Sequence, residues 1–226
     1  MTVTQSKKSI GAGLIAFFAS VLITFILIKI INFASNHFGL YYKEFHGFSY
    51  TNLIFKLILI FRHLVCLSAL IFIAAKIKQS AISKTGAFIL SFITFLYLVN
   101  IFLGFVDMNL FGFLGLYRWI IIGLIELVAA AMLFFGIKIW NPVRIAAFGY
   151  WVFCFFDDMF IVILNKAIER AAKTYDYSKV DTLDKIFECF DWVGFIISII
   201  CVVLCFAWLG TKNKPNFIQH KHPNLI

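Results

Sequence analysis

The sequence predicts an all-α protein, a polytopic transmembrane bundle of six helices in three hairpins with both termini cytoplasmic. Three observations predict it. Hydrophobic residues make up 62% of the 226-residue chain, including 29 Phe, more apolar surface than a water-soluble domain can hide. Six stretches are apolar over about 20 residues, long enough to cross roughly 30 Å of hydrocarbon. The charges also separate by side. Lys7, Lys8, Lys76, Lys78, Lys84, Lys138, Arg144, Lys212, Lys214 and Lys221 fill every second gap between the apolar stretches, and no Asp or Glu does. Basic residues gathered on one side mark the cytoplasmic face.

The first span, about 10–32, follows Lys7 and Lys8. It is longer than a signal-peptide core and lacks a small-x-small cleavage site, so it reads as uncleaved. The second, about 53–75, ends in Lys76 and Lys78, and a link too short for a domain (76–85) leads to the third, about 86–106. The fourth, about 117–137, carries Gly123, Ala129, Ala130 and Ala131, small residues that let neighbouring backbones approach. A second short link, 138–144, leads to the fifth, about 145–165, and the sixth spans about 191–210. Pro142, Pro215 and Pro223 are the only prolines and all lie outside the spans. Unbroken helices are therefore expected, rather than the interrupted helices of many ion-coupled transporters.

The outer loops are 34–52, 107–116 and 166–190. Tyr41, Tyr42, Phe45, Phe48 and Tyr50 in the first suit the headgroup zone. In the last, Val180, Leu183, Ile186, Phe187 and Phe190 recur at helical spacing opposite Asp181, Asp184, Lys185 and Glu188. That pattern predicts a short interfacial helix feeding span six. Residues 1–226 thus form one integral membrane domain without a cytoplasmic module.

The net charge of +9 is concentrated beside the spans, where anionic headgroups neutralise it, so nucleic acid is not the expected partner. Of the five Cys, Cys66, Cys154, Cys201 and Cys205 lie in apolar runs, and no disulfide framework or zinc spacing is present. The Phe, Ile, Lys and Asn bias suggests an AT-rich bacterial genome, hence the inner membrane.

The chemistry lies in a layer of ionisable residues. Counting about 1.5 Å per residue from the cytoplasmic basic anchors puts Arg62 and His63 of span two, Glu126 of span four, and Asp157 and Asp158 of span five all roughly 18–21 Å deep. An isolated charge there costs about 3 kcal/mol, so these residues are expected to face the bundle interior. Arg62 is the one permanent cation and is expected within hydrogen-bonding reach of Asp157, Asp158 or Glu126. The acids outnumber the cations. Either a carboxyl keeps its proton or a cation enters.

These residues point to an ion- or proton-linked transport or permeation component built on the charged layer. Six spans are few for such a protein, so a homo-oligomer or a place in a larger membrane complex is expected. The alternative is a non-catalytic accessory subunit whose charged layer and outer loops hold a partner protein. An intramembrane lipid-modifying enzyme has the least support: no HExxH, Gly-x-Ser-x-Gly or comparable motif occurs, and no catalytic residue is assigned. Oxygen ligands from the acids suit a divalent cation, but their spacing does not demand one, and no metal or cofactor is assigned.

Overall fold

A computed structural model of the chain describes residues 3–38, 44–45, 48–78, 80–106, 108–111, 117–137, 139–173 and 177–210. The helices are α1 (Val3–Phe38), α2 (Tyr50–Lys76), α3 (Ala81–Leu103), α4 (Arg118–Gly136), α5 (Asn141–Lys173) and α6 (Tyr177–Gly210). A two-residue antiparallel ladder, Glu44–Phe45 with Phe48–Ser49, precedes α2, and a 3-10 turn, Gly104–Val106, extends α3. Each helix contains a segment long and apolar enough to cross a membrane. These are Lys8–Phe38, Tyr50–Lys76, Ala81–Val106, Trp119–Gly136, Asn141–Arg170 and Glu188–Gly210, close to the six stretches read from the sequence.

Two loop expectations change. The first outer loop is shorter than expected, because α1 runs on to Phe38 and α2 begins at Tyr50; Tyr41 and Tyr42 lie outside the described residues. In the last loop, the segment expected as a short interfacial helix feeding span six is continuous with that span and forms the first turns of α6. Its helical periodicity runs into the span with no Gly or Pro before Gly194 to break it.

Local chemistry sets the helix ends. The Ser49 hydroxyl accepts from the Asn52 amide at 3.2 Å, and Ser80 caps α3 by accepting from Ser83 at 3.1 Å. Pro142 stands in the first turn of α5, where a missing N–H costs nothing. The Arg144 guanidinium donates to the Ile137 carbonyl at 3.0 Å, satisfying a group that the end of α4 leaves open.

The helices close a ring in chain order, each packed on its sequence neighbours and α6 on α1. In every pair the contacts climb one helix as they descend the next. On α1 and α2, Gly13 faces Ile73, Ser20 meets Cys66 and Ser35 meets Thr51. On α3 and α4, Gly86 faces Leu133 and Ile93 clusters with Ile122. On α1 and α6, Gly11 faces Leu209, Phe25 stacks on Phe195, and Lys29 pairs with Glu188.

The bundle is packed unevenly. Ile73, Ala74, Ala87, Ala129, Ala130, Leu133, Phe134, Val143 and Ala147, all at most 1% exposed, fill the end that carries the basic links. At the other end the smaller buried cluster among the described residues is Ile93, Phe111 and Ile122. The outer surface is apolar, with Phe33 at 74% and Ile145 at 71% exposure, as a lipid-facing wall requires.

Close packing at the basic end depends on Gly86. A Cβ there would fall on the Ala129 carbonyl oxygen and 2.7 Å from the Leu133 amide nitrogen, and neither backbone atom can rotate away. Gly86→Ala is expected to lower stability by about 1–3 kcal/mol. Gly149, which has nothing within 4 Å of such a Cβ, is the control: Gly149→Ala should be neutral or slightly stabilising. Thermal unfolding of the detergent-solubilised protein compares the two, and equal effects would contradict this packing.

Candidate functional site

Inside the ring lies a cavity of about 410 Å³, lined by residues from α1 to α5. All five residues of the charged layer, Arg62, His63, Glu126, Asp157 and Asp158, line it. Their neighbours on the same helices, Phe61, Ile125 and Phe156, are 55%, 47% and 59% exposed on the outside of the ring. Helical geometry explains the division, because adjacent residues point about 100° apart.

At one end the cavity wall includes Asn100 and Ile101, near the end of α3, and Trp119, at the start of α4. In the other direction it stops at Leu70 and Leu90, more than one turn before the basic links. The floor is aromatic. Phe17 stacks on Trp151 at 5.1 Å, Phe18 meets Tyr150 edge-on at 5.3 Å, and Phe134 lies 5.5 Å from Trp151. Below these rings is the tightly packed core, so the cavity is a pocket rather than a pore.

Each charged residue has its own surroundings. The His63 Nδ1 lies 2.7 Å from the Leu59 carbonyl, which can only accept, so Nδ1 carries the proton and Nε2 is left for other partners. The His63 ring also lies 5.9 Å from that of Tyr97. Glu126 is hydrogen-bonded by the Tyr97 hydroxyl. Asp158 lies against Gly123 of α4 and acts electrostatically on Glu126, so the two acids form a pair. Asp157 lines the cavity beside Asp158 and also feels the like charge of Asp191 on α6.

Arg62 corrects one expectation. No carboxylate oxygen of Glu126, Asp157 or Asp158 comes within 4.0 Å of its nitrogens. The side chain instead bends along α2 to hydrogen-bond the Cys66 sulfur and faces Tyr150 and Cys154 of α5. Cys66 is in turn 3.1 Å from the Ser20 hydroxyl. Among the described residues, no group of three or more His, Cys, Asp or Glu side chains is placed to hold a metal ion.

Counting ionisable residues missed the wall supplied by α3, which has none at this level. Its lining residues are Leu90, Thr94, Tyr97, Asn100 and Ile101. The signal was a polar stripe, Thr94, Tyr97 and Asn100 at three-residue spacing on an otherwise apolar span. Two outlying lysines also had partners that the sequence did not announce. Lys29 pairs with Glu188 at 3.3 Å and Asp191 at 3.6 Å, and Lys56 donates to the Gly104 carbonyl at 2.7 Å. The Lys29 pairs are largely solvent-accessible and contribute little to stability.

Six helices long and apolar enough to cross a membrane, ringed around a charged cavity, point to a helical integral membrane protein. The chain matches no protein-family model, no curated protein and no solved structure.

Proposed function

We propose that the protein is an ion- or proton-linked transport component and that the cavity is its binding site. The observation that carries this reading is that five ionisable groups from three helices line one cavity and Arg62 is ion-paired with none of the acids. Charges kept only to fix helix register would neutralise one another. Charges kept to hold a partner would face outwards, yet the outward neighbours here are Phe and Ile. Unpaired charge at this depth is tolerable only where water or a charged solute reaches it.

The descending contact registers support an up-and-down bundle of three hairpins, and the basic links and termini then share the cytoplasmic side. On this topology the pocket opens outwards and its aromatic floor separates it from the cytoplasm. The chain acts in a bacterial inner membrane, as a homo-oligomer or beside a further subunit that completes the path. Reconstitution into liposomes with an imposed proton or alkali-cation gradient tests the reading. Flux well above that of protein-free vesicles is expected, and no flux for any of these ions in wild-type protein would defeat it.

A further inference from the structure

The arrangement of charge within the cavity narrows what enters it. In the ring order, α2 is three positions from α5, so the two helices face each other across the interior. Arg62 faces Tyr150 and Cys154 of α5, whereas Asp158 stands four residues further along α5, towards the part of the cavity lined by Asn100, Ile101 and Trp119. Four residues of helix rise about 6 Å. The pocket therefore has a cationic base and an acidic upper wall about one helical turn apart.

No described carboxylate, carbonyl or hydroxyl oxygen hydrogen-bonds to Arg62, whose partner is the Cys66 sulfur. A guanidinium carries five donors in a planar fork suited to an oxyanion. Asp157 and Asp158 likewise form no hydrogen bond or ion pair of 4.0 Å or less with a described residue. A simple cation would satisfy the acids and leave the guanidinium without an anion. A simple anion would do the reverse.

We propose that the cavity binds a small zwitterion, its oxyanion on Arg62 and its ammonium group between Asp158 and Glu126. The proposal rests on the transport reading and names the substrate class of the same site. In an α-amino acid the ammonium and carboxylate are about 3 Å apart, and a charge-assisted hydrogen bond at each end extends the protein-to-protein separation to about 6–8 Å. That span is comparable to the roughly 6 Å rise between the levels of Cys154 and Asp158 on α5. The cavity volume falls within the range of small-molecule pockets, and Trp119, Tyr97 and Trp151 offer apolar surface to the rest of the solute. Free amino acids carry this charge pair, and so does the ethanolamine headgroup of a phospholipid.

Isothermal titration of the purified full-length protein tests the inference. The probes are a panel of free amino acids, phosphoethanolamine, and the amine and N-acetyl derivatives of whichever amino acid binds best. At least one zwitterion should bind, and either derivative, lacking one charge, should bind at least tenfold more weakly. Tighter binding of phosphoethanolamine than of any amino acid identifies a lipid headgroup as the source of the same chemistry. Arg62→Gln and Asp158→Asn should each weaken the zwitterion at least tenfold, and Arg62→Gln should leave the amine unchanged. Equal affinity for zwitterion and amine overturns the proposal, as does failure of every zwitterion to bind. The comparison of derivatives on wild-type protein holds even if a variant does not fold. In either failure, persisting ion flux in liposomes leaves the transport reading standing, whereas loss of flux as well removes both.

Discussion

Arg62→Glu should remove most folded protein from the membrane. The substitution leaves four carboxylates and no permanent cation around one cavity at membrane depth, where each charge costs about 3 kcal/mol to place. That is a large fraction of the 5–15 kcal/mol that holds a typical domain together. Arg62→Lys keeps the charge and should keep most of the yield, although it loses the planar fork that reaches Cys66. Removing one acid from the damaged layer, as in the double variant Arg62→Glu with Asp158→Asn, should recover part of it. The monodisperse fraction after detergent extraction measures all three. Wild-type yield for Arg62→Glu, or no recovery in the double variant, would show that the charges in this cavity are not coupled through their sum.

Asp158→Asn should reduce ion-dependent flux in liposomes to the level of protein-free vesicles while leaving yield and oligomeric state unchanged. Asp158 lies between Gly123 and the cavity and acts on Glu126, so the substitution removes one member of the acid pair without disturbing packing. Asn is nearly isosteric and carries no charge to bury. Asp157→Asn should also reduce flux, but less, because Asp157 acts on Asp158 and not directly on Glu126. An accessory subunit would show no flux in any form and would lose a partner instead. Unchanged flux in both variants would separate the acids from transport.

Much of the site was legible because membrane burial makes charge conspicuous. Arg62, His63, Glu126, Asp157 and Asp158 stood out in apolar runs, and the basic anchors supplied a ruler for their depth. Their common cavity follows, since none can face lipid cheaply. The pairing of Arg62 was not legible. A guanidinium on a long flexible stem can end a full turn from its Cα, and its direction was decided by Cys66, Tyr150 and Cys154, residues that look like ordinary core. The wall from α3 was missed for the opposite reason, since Thr94, Tyr97 and Asn100 carry no charge and their stripe was read as part of a span. Helix ends were the least legible feature. In α1 and α6 the helical pattern continues beyond the hydrocarbon length, so hydropathy ended the elements before the backbone did.

The central claim is that the charged residues line a pocket open on the side opposite the basic links and closed on the cytoplasmic side. Cysteine accessibility at Thr94 tests it most directly. Thr94 lines the cavity from α3, which contributes no charged residue to it. In a chain whose five native cysteines are replaced, Thr94→Cys should react with a small membrane-impermeant thiol reagent applied to the outer face of spheroplasts. It should not react when the same reagent is applied to inside-out vesicles. Reaction only from the cytoplasmic side, or from neither, would contradict an outward-opening pocket.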